Sequence, residues 1–251
     1  MAGSYPIAPG FRRKHFETVA STNTTALELA RAGEADRLWV TADRQTGGRG
    51  RRGRYWFSEP GNLYSSLYLA DPAPAERLGE LPLVAAVSLA RAIEAACDAA
   101  GKVALKWPND LLIEGKKLSG ILAEAHPLPD GRRAVLIGIG VNVGHHPDIP
   151  DYATTSLAAL GWTDDVEKVF AFLAAEMAEQ LAIWNAGRGF AMIRDAWLVR
   201  AAALGKTIEV KQGDTVRRGR FVTLDGEGRL VLDDESGNRV TVSAGDVFFS
   251  S

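Results

Sequence analysis

The stretch KVALKWPNDLLIEGKKLSGILAEA, Lys102 to Ala125, constrains the fold more than any other part of this chain. KVALKW has the length and apolar content of a short strand, and Pro108 sets a turn after it. DLLIEGKKLSGILAEA then reads as a hairpin turning near Glu114-Gly115-Lys116. Strands that follow one another this closely must run antiparallel, because parallel strands need a crossover of a dozen or more residues. A doubly wound parallel sheet is therefore a poor fit, and an α+β fold is the expectation.

The flanking segments supply the helices and further strands. STNTTALELARAG reads as a helix capped by Ser21 or Thr22 and ended by Gly33. Leu38 to Ala42 and Asn62 to Ala70 read as strands, the second by its alternation. Leu81 to about Ala99 has apolar residues at helical spacing, with Pro82 in the first turn. Arg132 to Val143 is an apolar strand. Asp165 to Trp184 is a helix, with Asp164 and Glu167 as a capping box, and Phe190 to Leu204 is another that stops at Gly205. Beyond Gly205 the texture changes to short alternating runs broken by Gln-Gly-Asp, Asp-Gly-Glu-Gly and Ser-Gly-Asn. That pattern predicts a small antiparallel β-barrel. The expected architecture is a mixed, largely antiparallel sheet with flanking helices in residues 1–204, and the barrel in residues 205–251.

Between the strands at Leu38 and Asn62 lies GGRGRRGRYW, Gly47 to Trp56. Its glycines allow positive φ and inward-facing N–H groups, and its arginines pair bidentately with phosphate or carboxylate. Three occupants are open from the residues alone: nucleic acid, a small-molecule phosphate, or solvent. The neighbouring Tyr55-Trp56-Phe57 favours something that stacks. Net charge is −2, and the basic character is confined to this loop. A nucleic-acid-coating protein usually carries a basic excess over a broad face.

Other groups have chemistry to offer. Lys106, Asn109, Asp110 and Lys117 stand at the ends of apolar strands. Asp110 is a candidate for holding Mg²⁺, which takes one or two carboxylates with waters and phosphate oxygens. Lys117 is placed to neutralise charge developing on a phosphoryl group, or else is only the polar end of a hairpin. GIGVNVG departs from the dinucleotide fingerprint; Gly138 and Gly140 suit a ligand passing close to a strand, with Asn142 beside it. His145-His146 lacks a ligand spacing for metal. The one cysteine, Cys97, reads as a small buried side chain. The amino terminus has no apolar run of signal-peptide length, and no stretch is long enough for a membrane span, so a cytoplasmic protein is expected.

Together these strings resemble the biotin protein ligases, the biotin–[acetyl-CoA-carboxylase] ligases. STNTT, QTGGRGRRGRYW, KWPNDLLIEGKKLSGILAE and GIGVNV occur in the family's order and at family-like separations, and the terminal β segment resembles the family's last domain. The resemblance implies a class II synthetase-like, biotin/lipoate ligase-like fold. It implies that ATP and biotin, with Mg²⁺, form biotinyl-adenylate, and that a lysine of a biotin carboxyl carrier domain then takes the biotin.

By the same resemblance, Ser21, Thr22 and Asn23 lie near the biotin ureido group, and Gln45 is a biotin-contacting glutamine. Gly48 to Arg54 forms the biotin and adenylate loop, with Arg49 and Arg51 at the carboxyl-phosphate region and Arg54 on the nucleotide side. Trp56 packs near the adenine, Asn109 and Asn142 stand on the adenylate side, and Asp110 lies near the metal. Lys117 lies beside the biotin carboxylate and α-phosphate, and Gly120, Gly138 and Gly140 line the biotin pocket. Lys117, Arg51 and Arg49 are the expected catalytic groups. About twenty residues precede STNTT, too few for the DNA-binding helix-turn-helix of bifunctional relatives, so the monofunctional type without a DNA partner is expected, as monomer or homodimer. A mobile loop that orders around the adenylate is also expected. The rivals are a lipoate or octanoate ligase or transferase of the same fold, a nucleic-acid binder using the basic loop, and a biotin binder without turnover.

Overall fold

The computed structural model describes residues 7–150, 152–163 and 165–249. The larger sheet contains β1 (Arg12–Val19), β2 (Leu38–Gln45), β3 (Leu63–Ala70), β4 (Val103–Lys106), β5 (Asp110–Ile113), β6 (Lys116–Pro127) and β7 (Arg133–Val141). Their spatial order is β1-β2-β3-β7-β6-β5-β4. Every neighbouring pair is antiparallel except β1 and β2, which α1 (Thr22–Arg31) joins as a parallel crossover. The constraining hairpin is present: Ile113 pairs with Lys116, and Glu114 and Gly115 both take positive φ. That is the twist-matched two-residue turn.

β1 has no counterpart in the sequence reading. RRKHFETV is charged and mostly solvent-facing, so it lacks the apolar alternation that marks a strand. Charged side chains suit an edge strand, where they discourage pairing with other chains. β3 also departs from expectation, because it is buried on both faces. α1 covers one side with Ala26 and Ala30 over Leu38, Val40, Tyr68 and Leu136. α2 (Leu81–Ala96) and α3 (Val166–Trp184) cover the other, where Trp39, Leu67, Ile137 and Phe170 form part of the main core.

Helix ends differ from the expected ones for local reasons. α3 is capped by Asp165, whose carboxylate accepts from the Lys168 N–H at 2.9 Å. The expected cap, Asp164, lies outside the described residues. α2 ends at Ala96 rather than Ala99, with Cys97 as its C-cap. α4 (Phe190–Leu198) ends at Leu198, not Leu204. The chain there breaks into turns and forms one bridge to β4, Leu105 N to Arg200 O and Ala202 N to Leu105 O, both at 2.7 Å.

The predicted C-terminal barrel is not a barrel. β8 (Thr207–Gln212), β9 (Thr215–Leu224), β10 (Leu230–Asp234), β11 (Arg239–Val242) and β12 (Asp246–Phe249) form an open sheet in the order β11-β10-β9-β8-β12. β11 and β12 are opposite edges, and no ladder joins them among the described residues. Closing a barrel buries the inner face of a sheet on itself. Here that face is used elsewhere: Ile208, Phe221, Leu230 and Val247 belong to the same buried cluster as α2, α3 and α4. Phe221 meets Trp197 edge-on at 6.4 Å, and Trp107 Nε1 donates to Gly228 O at 3.0 Å. Short alternating runs specify neighbours in a sheet but not whether its ends meet.

Candidate active site

A cavity of about 610 Å³ opens between the larger sheet, the arginine loop and the end of β12. Its floor is built at the start of α1. Ser21, Thr22 and Asn23 are buried there, and the Thr22 N–H donates to Gln45 Oε1 at 2.8 Å. Gln45 Nε2 donates to Ser58 Oγ at 2.9 Å, and Ser58 Oγ donates to Trp56 O at 2.9 Å. This chain of bonds folds the arginine loop back over the floor.

The glycines are explained by what they face. A Cβ on Gly48 would lie 2.5 Å from both Ser58 Oγ and Trp56 O. One on Gly138 would lie 2.6 Å from Asn23 Oδ1, and one on Gly140 would lie 2.5 Å from Trp56 Nε1. Gly120 lies under the same indole. The space along β6 and β7 that the sequence reserved for a ligand is thus shared with this chain's own Asn23 and Trp56. Gly48 itself is not on the cavity wall, while Gly120, Gly138 and Gly140 are. Trp56 Nε1 is buried without a hydrogen-bond partner.

The loop is a small ordered hairpin. Gly50 N donates to Arg54 O at 2.7 Å, and Arg51 to Gly53 form a tight turn in which Arg52 and Gly53 take positive φ. Arg49 donates to Thr24 Oγ1 at 3.2 Å. Arg51 donates to Asn109 Oδ1 at 3.0 Å and to Gly245 O at 3.2 Å. Burial lowers the Arg51 pKa, and the nearby Asp246 opposes that. Arg52 and Arg54 both pair with Asp246, Arg52 at 3.0 Å.

On the opposite wall, Lys117 Nζ lies 2.8 Å from Asp110 Oδ1, and both are largely buried. The ammonium also sits 5.6 Å from the Trp56 ring centroid and 5.3 Å from that of Tyr152. Asn109 Nδ2 donates to Ile121 O at 2.7 Å, so its amide ties Arg51 to the sheet. Asn142 is the outlier among the expected groups. Its amide donates to Thr155 O at 3.0 Å, and it borders a small adjoining depression rather than the main cavity.

Several cavity residues went unassigned in the sequence. Lys106 lines the wall and faces the rings of Phe248 and Phe249 at 5.8 and 5.4 Å; burial lowers its pKa. Lys106 was visible beside Trp107-Pro108, but its inward aim was not. Asp246, Phe248 and Phe249 come from the last strand, and Tyr152 from the loop after β7. Nothing local marks them, since only the tertiary fold brings them here.

Asp110 does not make a metal site by itself. Its carboxylate is engaged by Lys117, and no group of three His, Cys, Asp or Glu residues suited to a metal occurs among the described residues. That donor set does not fit a resident cation. The histidine pair is structural: His145 bonds with Asn62 and Pro60 O, and His146 with Ser156. Cys97 is half-buried at the end of α2, and burial raises its pKa.

What the cavity offers chemically is an uncharged polar floor, a cationic wall and an aromatic side. Such a site suits an acid with a polar head whose carboxylate meets a phosphate. Comparison with known proteins places the chain in a family. Residues 15–143 match the biotin/lipoate A/B protein ligase family, and residues 203–250 match the biotin protein ligase C-terminal domain. The chain is 40% identical over 235 residues to a biotin–[acetyl-CoA-carboxylase] ligase of Paracoccus denitrificans, covering 91% of this chain and 97% of that one. It is 35% identical to the bifunctional ligase/repressor BirA of Bacillus spizizenii, covering 91% of this chain and 71% of the other. The fold matches the biotin protein ligase from Aquifex aeolicus in complex with biotin and ATP, with TM-score 0.79, 28% identity, and 94% and 97% of the two chains covered. On its sequence matches, its two domain assignments and its fold, the chain belongs to the biotin protein ligases.

Proposed function

We propose that this chain activates biotin with ATP as biotinyl-adenylate and transfers the biotin to a lysine of a carboxyl carrier domain. The observation that carries the reading is the single cavity that joins the Ser21-Thr22-Asn23 floor to the arginine loop and Lys117. In the first step a biotin carboxylate oxygen bonds to the α-phosphorus of ATP, and the bond to the β-phosphate oxygen breaks to release pyrophosphate. In the second, the carrier lysine's neutral amine bonds to the biotin carbonyl carbon, AMP leaves, and the amine loses a proton.

The residues present suit this chemistry without an enzyme nucleophile. Lys117 and Arg51 lie on two walls of one cavity and neutralise charge on the carboxylate and α-phosphate. Arg49 and Arg54 add charge on the loop, and Asn109 holds Arg51 in place. The floor and the glycine strands grip the ring system of biotin, and Trp56, Phe248 and Phe249 offer apolar surface to an adenine. Catalysis is then positioning plus charge neutralisation. Any Mg²⁺ would be held by the nucleotide's phosphate oxygens, where it would offset their charge; Asp110, the carboxylate expected near it, is engaged by Lys117. Residues 1–204 would carry the chemistry, with residues 205–251 closing the nucleotide side through Asp246 and the phenylalanines.

Incubation with ATP, Mg²⁺ and biotin, followed by native mass spectrometry, tests this. Retained biotinyl-adenylate and released pyrophosphate are expected. Pyrophosphate released with lipoate or octanoate but not with biotin would replace this reading with the parallel acyl ligase.

A further inference from the structure

The cavity floor rests on a hydrogen-bond relay whose direction follows from which atoms can donate. Asn23 Nδ2 lies 2.7 Å from Glu124 Oε2, with Leu122 O a longer second acceptor at 3.4 Å. Carboxylate and carbonyl oxygens only accept, so the NH₂ end of Asn23 must face Glu124 and its Oδ1 must point the other way. There Asn23 Oδ1 lies 2.6 Å from Ser66 Oγ, and Ser66 Oγ lies 2.7 Å from Thr22 Oγ1.

Each of those two short contacts needs a hydrogen between its oxygens. Ser66 has one, and among these partners only Ser66 can supply the hydrogen toward Asn23 Oδ1. The hydrogen between Ser66 and Thr22 must then come from Thr22. Gln45 Oε1, 3.2 Å from Thr22 Oγ1, already accepts from the Thr22 N–H and cannot donate. Thr22 Oγ1 therefore has no hydrogen left and meets the cavity as an acceptor. Reversing the amide of Asn23 would turn the Ser66 hydrogen onto Thr22 Oγ1, fill one of its lone pairs and release the Thr22 hydrogen to Gln45 Oε1 or to the ligand.

We propose that Glu124 is a positioning residue that sets this polarity, so that Thr22 selects a ligand donating N–H at the cavity floor. The inference rests on the biotin reading above, in which that donor is a ureido N–H. Glu124 sits on β6 at the end of the KWPNDLLIEGKKLSGILAE string but carries no expected ligand contact, and it reaches the floor through Asn23 and Ser66. The relay also accounts for Gly138, which leaves room for the Asn23 amide to hold this orientation.

The test compares calorimetric affinity for biotin with that for an analogue whose two ureido N–H groups are replaced by ring oxygens. The wild type favours biotin. In Glu124→Lys a donor replaces the acceptor, and the preference ratio falls by about tenfold or more, the scale of one buried hydrogen bond inverted. Glu124→Gln keeps an acceptor oxygen and retains the wild-type ratio. Glu124→Arg places a donor there as well and lowers the ratio too, a second route if the lysine variant unfolds; Ser66→Ala is no such route, because Gln45 Oε1 then takes the Thr22 hydrogen. An unchanged ratio in both Glu124→Lys and Glu124→Arg, with biotin still bound, overturns the inference alone, as does a Gln variant that behaves like Lys. Failure of the wild type to bind biotin overturns the ligand reading, and the inference falls with it.

Discussion

Arg52 and Asp246 are 194 positions apart in the chain and 3.0 Å apart in space. Asp246 also holds Arg54 and lies 3.8 Å from Arg51, so one carboxylate of the last strand faces three cations of the glycine-rich loop. An arriving phosphate must compete with it for those cations. In Asp246→Asn the three arginines lose their shared counter-charge and repel one another. The three pairs share one half-buried carboxylate, and with their combined worth set at about 1 kcal/mol, the upper end for a surface pair, the loop should open roughly fivefold more often. Limited trypsin digestion of the ligand-free protein should cut the loop faster by about that factor, and a biotinyl-adenylate analogue should restore protection. Equal cutting of variant and wild type would show that Asp246 does not hold the loop.

Lys117 is pinned by Asp110 at 2.8 Å and points into the cavity between Trp56 and Tyr152. Lys117→Ala removes the charge facing the reacting oxygen atoms, and losing one such preorganised group costs about 10²–10³ in rate. Adenylate formation in a single turnover should fall by that much, with biotin affinity changed far less. Near-normal turnover would end the assignment of Lys117.

Gly140 and Trp56 give a steric test. A methyl at position 140 would stand 2.5 Å from the indole nitrogen, so the ring must leave its seat or the strand must shift. Gly140→Ala should move tryptophan emission and weaken biotin binding by tenfold or more, with a stability loss of about 1–3 kcal/mol if the ring stays. Unaltered emission and unaltered biotin affinity would mean that the ring is seated elsewhere.

The parts of this site that were legible in the sequence are those whose chemistry is local. The Glu114-Gly115 turn, the arginine loop between two strands and the KWPND segment each carry their own signal, and the structure brings them to one cavity. β1 was hidden because a charged edge strand has no apolar period. The C-terminal sheet was misread as closed because strand alternation says nothing about which face packs on helices, and Phe221 turns toward Trp197 instead. Asp246 and Glu124 were invisible for a further reason: each acts by meeting a residue roughly a hundred or more positions away. Gly138 and Gly140 read in the sequence as leaving room for a ligand, whereas the Asn23 and Trp56 side chains that lie against them come together only in three dimensions.

Lys106 offers a pH test of the nucleotide side. Its ammonium is half-buried beside Phe248, Phe249 and the cationic wall, and that burial lowers its pKa from the ordinary lysine range near 10.4; Asp110 and Asp246 oppose the shift, and Lys117 adds to it. The charged form predominates below that lowered value and is lost as pH rises through it. Anionic nucleotide binds the charged form better, so affinity for ATP is full on the acid side and declines on the alkaline side. The kcat/KM profile for ATP, which reports the free enzyme, should therefore bend downward at a lower pH than an exposed lysine would give. Bound phosphate stabilises the ammonium, so the matching bend in kcat should lie at higher pH. Lys106→Gln should raise the KM for ATP throughout and abolish the low alkaline bend, while Lys106→Arg keeps the charge and flattens the profile at the lower KM. A Gln variant that keeps the same bend would assign it to another group and remove Lys106 from nucleotide binding.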